Sequence, residues 1–155
     1  MVSIREADID DLERIQELSV KLSEKEEKEF DGTIDPSWNT SEEATGWFRK
    51  RIEEDFSLVV VEDDELVGYA VGALRDSEDY REELLIAELE SMYLKPDHRS
   101  EGLGSELMER FEEWAGEKGA ERIRAEVTAQ NDKGIEFYRK NGLQGYAEIM
   151  EKDIS

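Results

Sequence analysis

The chain has no cysteine, which excludes disulfides, thiolate metal ligands and a thiol nucleophile. Its one histidine, His98, cannot build the zinc or iron sites that several imidazoles make, so no metal is expected. Long apolar runs are missing too. The longest unbroken aliphatic stretch, Leu58 to Val61, is far short of the roughly 20 residues a membrane-spanning helix needs. Bases are scarce, with 20 Lys and Arg against 42 Asp and Glu and a formal net charge of −22. A surface of that sign repels nucleic acid and anionic lipid, so neither is an expected partner. The opening Met1-Val2-Ser3-Ile4-Arg5, followed by acids, has the pattern of neither a signal nor a transit peptide. A cytoplasmic location is the expectation.

The 155 residues are read as a single domain, residues 1–155, long enough to bury roughly 70% of the unfolded surface. The acids alternate with well-formed hydrophobic segments instead of replacing them, which argues against disorder. Two readings of the charge fit. One is adaptation to a high-salt cytoplasm, where a Debye length of about 3 Å at about 1 M salt screens self-repulsion. The other is an acidic surface that attracts cationic substrates.

Taken in order, Val2 to Arg5 reads as a strand. Asp8 then caps a helix with Leu12, Ile15, Leu18 and Leu22 at helical spacing. The charged run Glu24 to Glu29 reads as a solvated helix end. After a loop at Asp31-Gly32 and Asp35-Pro36, a second helix starts at Thr40 or Ser41, with Glu43 placed for a capping box. Its aromatic neighbourhood, Trp38 to Phe48, is either core or a substrate wall. Ser57 to Glu62 and Glu65 to Leu74 form a hairpin across Asp63-Asp64. Leu84 to Leu94 is the central strand. Leu103, Leu107, Phe111, Trp114 and Ala115 stripe a helix that ends at Gly119. Arg122 to Val127 alternates as a strand, a last helix runs from near Asn131 to Gly142, and Leu143 to Met150 reads as a final strand. The order β-α-α-β-β-β-α-β-α-β implies an α/β protein, a mixed sheet with helices on both faces.

Between the central strand and the third helix lies Lys95-Pro96-Asp97-His98-Arg99-Ser100-Glu101-Gly102-Leu103-Gly104. A glycine-containing strand-to-helix turn leaves backbone N–H groups unpaired at the positive end of a helix dipole, which suits a phosphate. Arg99 can add a charge-assisted bond to the same anion, or form a loop salt bridge with nearby acids. His98 beside it reads as exposed and receives no role. A nucleotide P-loop is excluded because no Gly-Lys pair occurs. A dinucleotide fingerprint fails because Leu107 stands at its third glycine.

Arg99 to Gly104 resembles the R/Q-x-x-G-x-G/A signature of the GNAT superfamily of N-acetyltransferases. The resemblance extends to the preceding strand, to Glu126-Val127, and to Phe137-Tyr138-Arg139-Lys140-Asn141-Gly142, similar to the family's F-Y-x-x-x-G. Leu143 departs from it, since an aromatic is usual there. The resemblance implies a GNAT-like acyl-coenzyme A N-acyltransferase fold that uses acetyl-coenzyme A. Met92, Tyr93 and Leu94 would then present backbone groups to the pantetheine arm and the thioester carbonyl. Ser100, Glu101, Gly102, Leu103, Gly104 and Ser105 would wrap the pyrophosphate, and Asn131 would reach the pantetheine or acetyl end. Tyr138 is implied as the acid that protonates the leaving thiolate, although a core aromatic fits the same helical position. Glu126 is implied as the base, with a strand-face pair to Arg122 or Arg124 as the other reading. Glu88 and Glu90, carboxylates on one face of the central strand, are alternative bases or the lining of a pocket for a cationic substrate.

The expected activity is acetyl transfer to a primary amine by direct attack in a ternary complex. The amine would be a protein N-terminus, a lysine or a small cationic molecule, and a homodimer is compatible with the family. A non-catalytic acyl-coenzyme A-binding module of the same fold is the alternative. The charge makes a direct prediction: raising potassium chloride from about 0.1 M to about 2 M increases the melting temperature, because screening relieves acid–acid repulsion. A melting temperature that is flat or falls over that range would remove the high-salt reading.

Overall fold

The computed structural model describes residues 1–155. Strand β1 (Val2–Glu6) leads through a short 3-10 turn, Ile9–Asp11, into helix α1 (Leu12–Glu29). A second 3-10 turn, Pro36–Thr40, precedes α2 (Glu42–Glu54). Strands β2 (Phe56–Glu62), β3 (Glu65–Asp76) and β4 (Leu85–Leu94) follow, then α3 (Leu103–Glu117), β5 (Arg122–Ala125) and α4 (Asp132–Lys140). The five strands lie side by side in sequence order. β1 to β4 are antiparallel neighbours, and β5 runs parallel to β4. Asp63 and Asp64 turn the β2–β3 hairpin with φ of 50° and 65°, the left-handed pair that matches strand twist and that aspartate tolerates.

Apolar residues divide between the two faces of the sheet, as expected for strands that are covered on both sides. On one face Phe56, Leu58, Val60, Ala87 and Leu89 meet Leu107, Met108 and Phe111 of α3. On the other, Val59, Tyr69, Val71 and Tyr93 meet Ile15 and Leu18 of α1 and Ala44 and Phe48 of α2. Phe48 is therefore core, while Trp38 stays largely exposed. Ser41 caps α2 by accepting the Ala44 N–H at 3.1 Å. This places Ala44 at the third helical position, so Glu43 is one residue out of register for a capping box.

The segment between α1 and α2 is tied down by buried polar groups. Asn39 donates to the Ser19 carbonyl and hydroxyl and accepts from the Ser23 hydroxyl. Gln16 donates to the Asn39 carbonyl and to the Thr45 hydroxyl. These bonds satisfy groups that would otherwise be buried at a cost, and they tie the stretch of α1 from Gln16 to Ser23 to the loop.

Two sequence expectations change. The strand starting at Arg122 stops at Ala125, so Glu126 and Val127 lie beyond it. Leu143 to Met150 forms no strand. Leu143 packs against the α3-side core, but Gly145 interrupts the run, and Ile149 and Met150 are exposed with no apolar face beneath them. Tyr146 is held from the side instead, under the Arg81 guanidinium at 4.2 Å and with its hydroxyl 3.1 Å from that of Tyr80. Glu78 anchors the same corner, where Arg124 first, then its own backbone and Arg81, hold its carboxyl down to about 2.

At the other end of the sheet, Arg5 of β1 grips both oxygens of Asp11 at 2.8 and 3.0 Å, and the Asp8 N–H adds a third bond at 2.9 Å. The Arg5 bonds hold the Asp11 carboxyl below the usual aspartate range. The unfolded chain therefore takes up this proton at a higher pH than the folded one, so the pair's stabilisation is full above the ordinary aspartate pKa and is lost as pH falls from there through the lowered folded-state value. Asp11→Asn should cost about 1–2 kcal/mol at neutral pH. The gap to the parent should close as pH falls through the lowered Asp11 value, read from melting temperature against pH. A constant gap down to that pH would mean packing, not charge, carries the effect.

Candidate active site

β4 and β5 pair only from Ile86 opposite Arg122 to Leu89 opposite Ala125. β4 then runs on to Leu94 while the other chain leaves the sheet for α4. The edge of β4 from Glu90 to Leu94, on the β5 side, is left open. The opening starts at a bulge: Gly72 faces Leu89 and Val71 faces Ser91, so Glu90 is the extra residue. Past the bulge, Met92 and Leu94 point to the α3-side core and Tyr93 to the α1/α2-side core. Ser91 lies against the Tyr69 hydroxyl at 2.7 Å.

A 3-10 turn at Pro96–His98 redirects the chain after β4. Ser100 (φ 65°) and Gly102 (φ 82°) are both left-handed, and α3 begins at Leu103 with no side chain capping it. The N–H groups of Ser100, Glu101, Gly102, Leu103, Gly104 and Ser105 donate to no backbone carbonyl; the first bond into the helix is from Glu106 to the Gly102 carbonyl. The result is a run of unpaired donors at the positive end of a helix dipole, beside the open strand edge. Gly104 has a separate role. A side-chain carbon there would come within 3.1 Å of the Phe137 ring, so its absence lets α4 close against the start of α3.

Arg99 forms no salt bridge with the neighbouring acids. Its Nε donates to the Leu94 carbonyl at 2.8 Å and its guanidinium lies 5.3 Å from the Tyr93 ring centre, which leaves the terminal nitrogens uncommitted next to the unpaired amides. His98, expected to be exposed, has a side chain only 12% accessible and sits 3.0 Å from the Glu62 carboxylate. The turn at Pro96 folds it back against the end of β2.

Asn131 caps α4 by accepting the Gly134 N–H at 2.9 Å. Tyr138, on the same helix, is partly buried against the α3-side core. Burial, and then the negative charge of Glu26, raise its phenol above the ordinary tyrosine value. Glu126 is exposed just past the end of β5, with neither Arg122 nor Arg124 paired to it; Arg124 binds Glu78 at 2.7 Å. The carboxylates of the central strand are both engaged. Glu90 takes two bonds from Arg51, which also pairs with Asp55 at 3.1 Å and stacks on Trp47, and Glu88 pairs with Arg75.

Glu26 is the residue that sequence reading passed over. It sits inside the charged run of α1, yet it is half-buried and burial raises its carboxyl above the ordinary range, with Lys25 opposing this only in part. The signal was present in the spacing. Glu26 follows Leu18 and Leu22 at four-residue steps, so it continues the inward stripe of the helix.

A concavity of about 660 Å³ lies elsewhere, between α3 and the start of β2, and neither the glycine turn nor Tyr138 lines it. No group of three or more acidic or histidine side chains is placed to share a metal ion. No helix is long and apolar enough to cross a membrane.

An open central strand running into a main-chain anion cradle defines an acetyltransferase fold. Residues 17–143 match the Acetyltransferase (GNAT) family, and the chain belongs to it. The thialysine N-epsilon-acetyltransferase of Bos taurus is 33% identical over 60 residues, which are 39% of this chain and 35% of that protein. The match thus spans about a third of that relative's length. Among solved structures, a mutant of the BH1408 protein from Bacillus halodurans superposes with a TM-score of 0.86 at 20% identity, over 99% of both chains. A predicted acetyltransferase from Clostridium acetobutylicum, crystallised with acetyl-coenzyme A, gives 0.77 at 20% identity over 99% of this chain and 96% of its own. At such identities the likeness is one of fold.

The turn's backbone geometry can be tested without any ligand. Nothing lies within 4 Å of a side-chain carbon built on Gly102, so only its φ of +82° opposes substitution. Gly102→Ala should cost about 1–2 kcal/mol, read from urea unfolding. A variant as stable as the parent would mean the turn is free to take another conformation.

Proposed function

We propose that the protein transfers the acetyl group of acetyl-coenzyme A to a primary amine, by direct attack in a ternary complex. The observation that carries this reading is the run of unpaired N–H groups from Ser100 to Ser105 beside the open edge of β4. Membership of the GNAT family supports it. The open edge at Met92, Tyr93 and Leu94 would pair with the amides of the pantetheine arm as a sheet takes an extra strand. The turn would hold the pyrophosphate, with the free nitrogens of Arg99 adding charge-assisted bonds. Asn131, its Oδ1 already used as a cap, has its side-chain amide N–H to offer.

In the step itself, Glu126 accepts a proton from the ammonium through water, and the neutral nitrogen attacks the thioester carbon. A backbone N–H near Met92 stabilises the oxyanion. The C–S bond breaks as the intermediate collapses, Tyr138 gives its proton to the departing thiolate, and the second proton leaving the acylated nitrogen passes through water to restore the phenol. A phenol raised above its ordinary value remains protonated and ready to donate at neutral pH. Glu88 and Glu90 are paired with arginine, so we assign them to the walls and not to proton transfer. Protein N-termini, lysine and small cationic amines share the required chemistry. Action as a homodimer in a salt-rich cytoplasm completes the proposal.

Calorimetric titration of acetyl-coenzyme A at about 0.1 M and about 2 M potassium chloride should show saturable binding. Folded protein that gives no heat at either salt would remove the reading. Tyr138→Phe should then keep the affinity for acetyl-coenzyme A while turnover with an amine falls about a hundredfold or more. Unchanged turnover would take the acid role from Tyr138. Binding with no turnover of any amine by the parent protein would point to a non-catalytic acyl-coenzyme A-binding module.

A further inference from the structure

We infer that Arg51 of α2 is a positioning residue for the acyl group: by gripping Glu90 it fixes the β4 bulge, and with it the edge N–H that meets the thioester carbonyl. The inference rests on the acetyl transfer proposed above.

The peptide units at Glu90 are the part of β4 that the sheet itself does not hold. Gly72 faces Leu89 and Val71 faces Ser91, so no β3 residue stands opposite Glu90. On the other side β5 has ended, since its last pair is Ala125 with Leu89. An extra residue of this kind is free of the ladder, and its orientation must come from contacts outside it. Two devices act on its neighbours. A side-chain carbon on Gly72 would collide with the Glu88 carbonyl and come within 3.2 Å of the Leu89 backbone, so glycine permits the close approach just before the bulge. The Tyr69 hydroxyl holds the Ser91 hydroxyl at 2.7 Å just after it.

Arg51 holds the extra residue directly. Its Nε and Nη2 donate to the two oxygens of Glu90, the second at 3.2 Å. Its Nη1 donates to Asp55 at 3.1 Å, and its face lies 4.5 Å from the centre of the Trp47 ring. The side chain is only 11% accessible. A planar fork committed on both edges and one face has a single orientation, which it imposes on the carboxylate it grips. Glu88, two residues earlier and regularly paired with Ala73, has nothing comparable: its Arg75 is half-exposed and gives it one bond. Stability alone does not call for the Arg51 fork, because apolar residues of similar volume replace a buried ion pair at little or no cost. What the fork supplies is direction. An oxyanion donor acts only when it lies within hydrogen-bond reach of the developing charge, and a shift of about 1 Å can cost about a hundredfold in rate.

Acetyl-coenzyme A carrying 13C at its carbonyl reads this hydrogen bond without any amine, since the resonance of the bound ligand moves downfield when an N–H donates to that oxygen. The parent should show the downfield shift. Glu90→Ala and Arg51→Lys should each return the resonance most of the way to the free position, and the double variant should go no further than Glu90→Ala alone. Affinity for coenzyme A, from calorimetry, should stay within about threefold of the parent in all three. Glu90→Gln keeps a carbonyl for the Arg51 Nε and should keep most of the shift. Asp11→Asn breaks a comparable arginine fork at the far end of the sheet and should leave the resonance in place. Glu90→Ala and Glu90→Gln retain Arg51 on Asp55, so the comparison stands even where Arg51→Lys does not fold. A resonance that Glu90→Ala leaves at the parent position would overturn the inference. So would an equal effect of Asp11→Asn, a Glu90→Gln variant that falls back as far as Glu90→Ala, or a parent whose bound carbonyl sits at the free position. A parent that binds no acetyl-coenzyme A would instead overturn the proposed transfer, a separate and visible failure.

Discussion

Beyond Leu89 and Ala125 the parallel strands β4 and β5 no longer share hydrogen bonds, so, apart from the Leu94 carbonyl that Arg99 Nε caps, the polar edge of β4 from Glu90 onward must be satisfied by water or by a ligand. Backbone groups in that position are costly to bury alone, which keeps the opening wet when empty and receptive to an extended amide-bearing chain. Everything else in the site refers to this edge. The bulge at Glu90 starts it, the turn after Pro96 places the run of free amides at its far end, and α4 packs Phe137 and Tyr138 against the same α3-side core that receives Met92 and Leu94.

A sheet in so acidic a protein needs its carboxylates managed. With 20 bases against 42 acids, the arginines are concentrated where acids touch the sheet: Arg5 on Asp11, Arg51 on Glu90 and Asp55, Arg75 on Glu88, Arg124 on Glu78. Arginine suits this because its planar fork satisfies two carboxylate oxygens at once. The exposed helix faces carry most of the remaining acids, where hydration costs them little. Against that distribution, an inward acid such as Glu26 stands apart.

Much of this was legible in the sequence, and the exceptions have physical causes. The helical stripes, the Asp63-Asp64 hairpin and the glycine turn were readable because each is a local device with its own chemistry. The final strand was not there because alternation alone cannot make one; Ile149 and Met150 need a face to cover, and β5 is only four residues long. His98 was misplaced because its partner, Glu62, is remote in the chain, and the arginine partners of Glu88 and Glu90 were out of sight for the same reason. Glu26 was hidden by its neighbours, a buried position written in the same letters as the solvated run around it.

The donors that the turn from Ser100 to Ser105 presents are all main chain, which has a consequence for how such a protein can drift. A site whose donors are peptide N–H groups places almost no demand on the side chains that carry them, beyond a left-handed glycine at Gly102 and a small residue at Gly104. Substitution at Glu101 or Leu103 changes the side chain but leaves the free N–H in place. A lineage can therefore turn its whole exterior acidic, right up to the rim of an anion site, without rebuilding it.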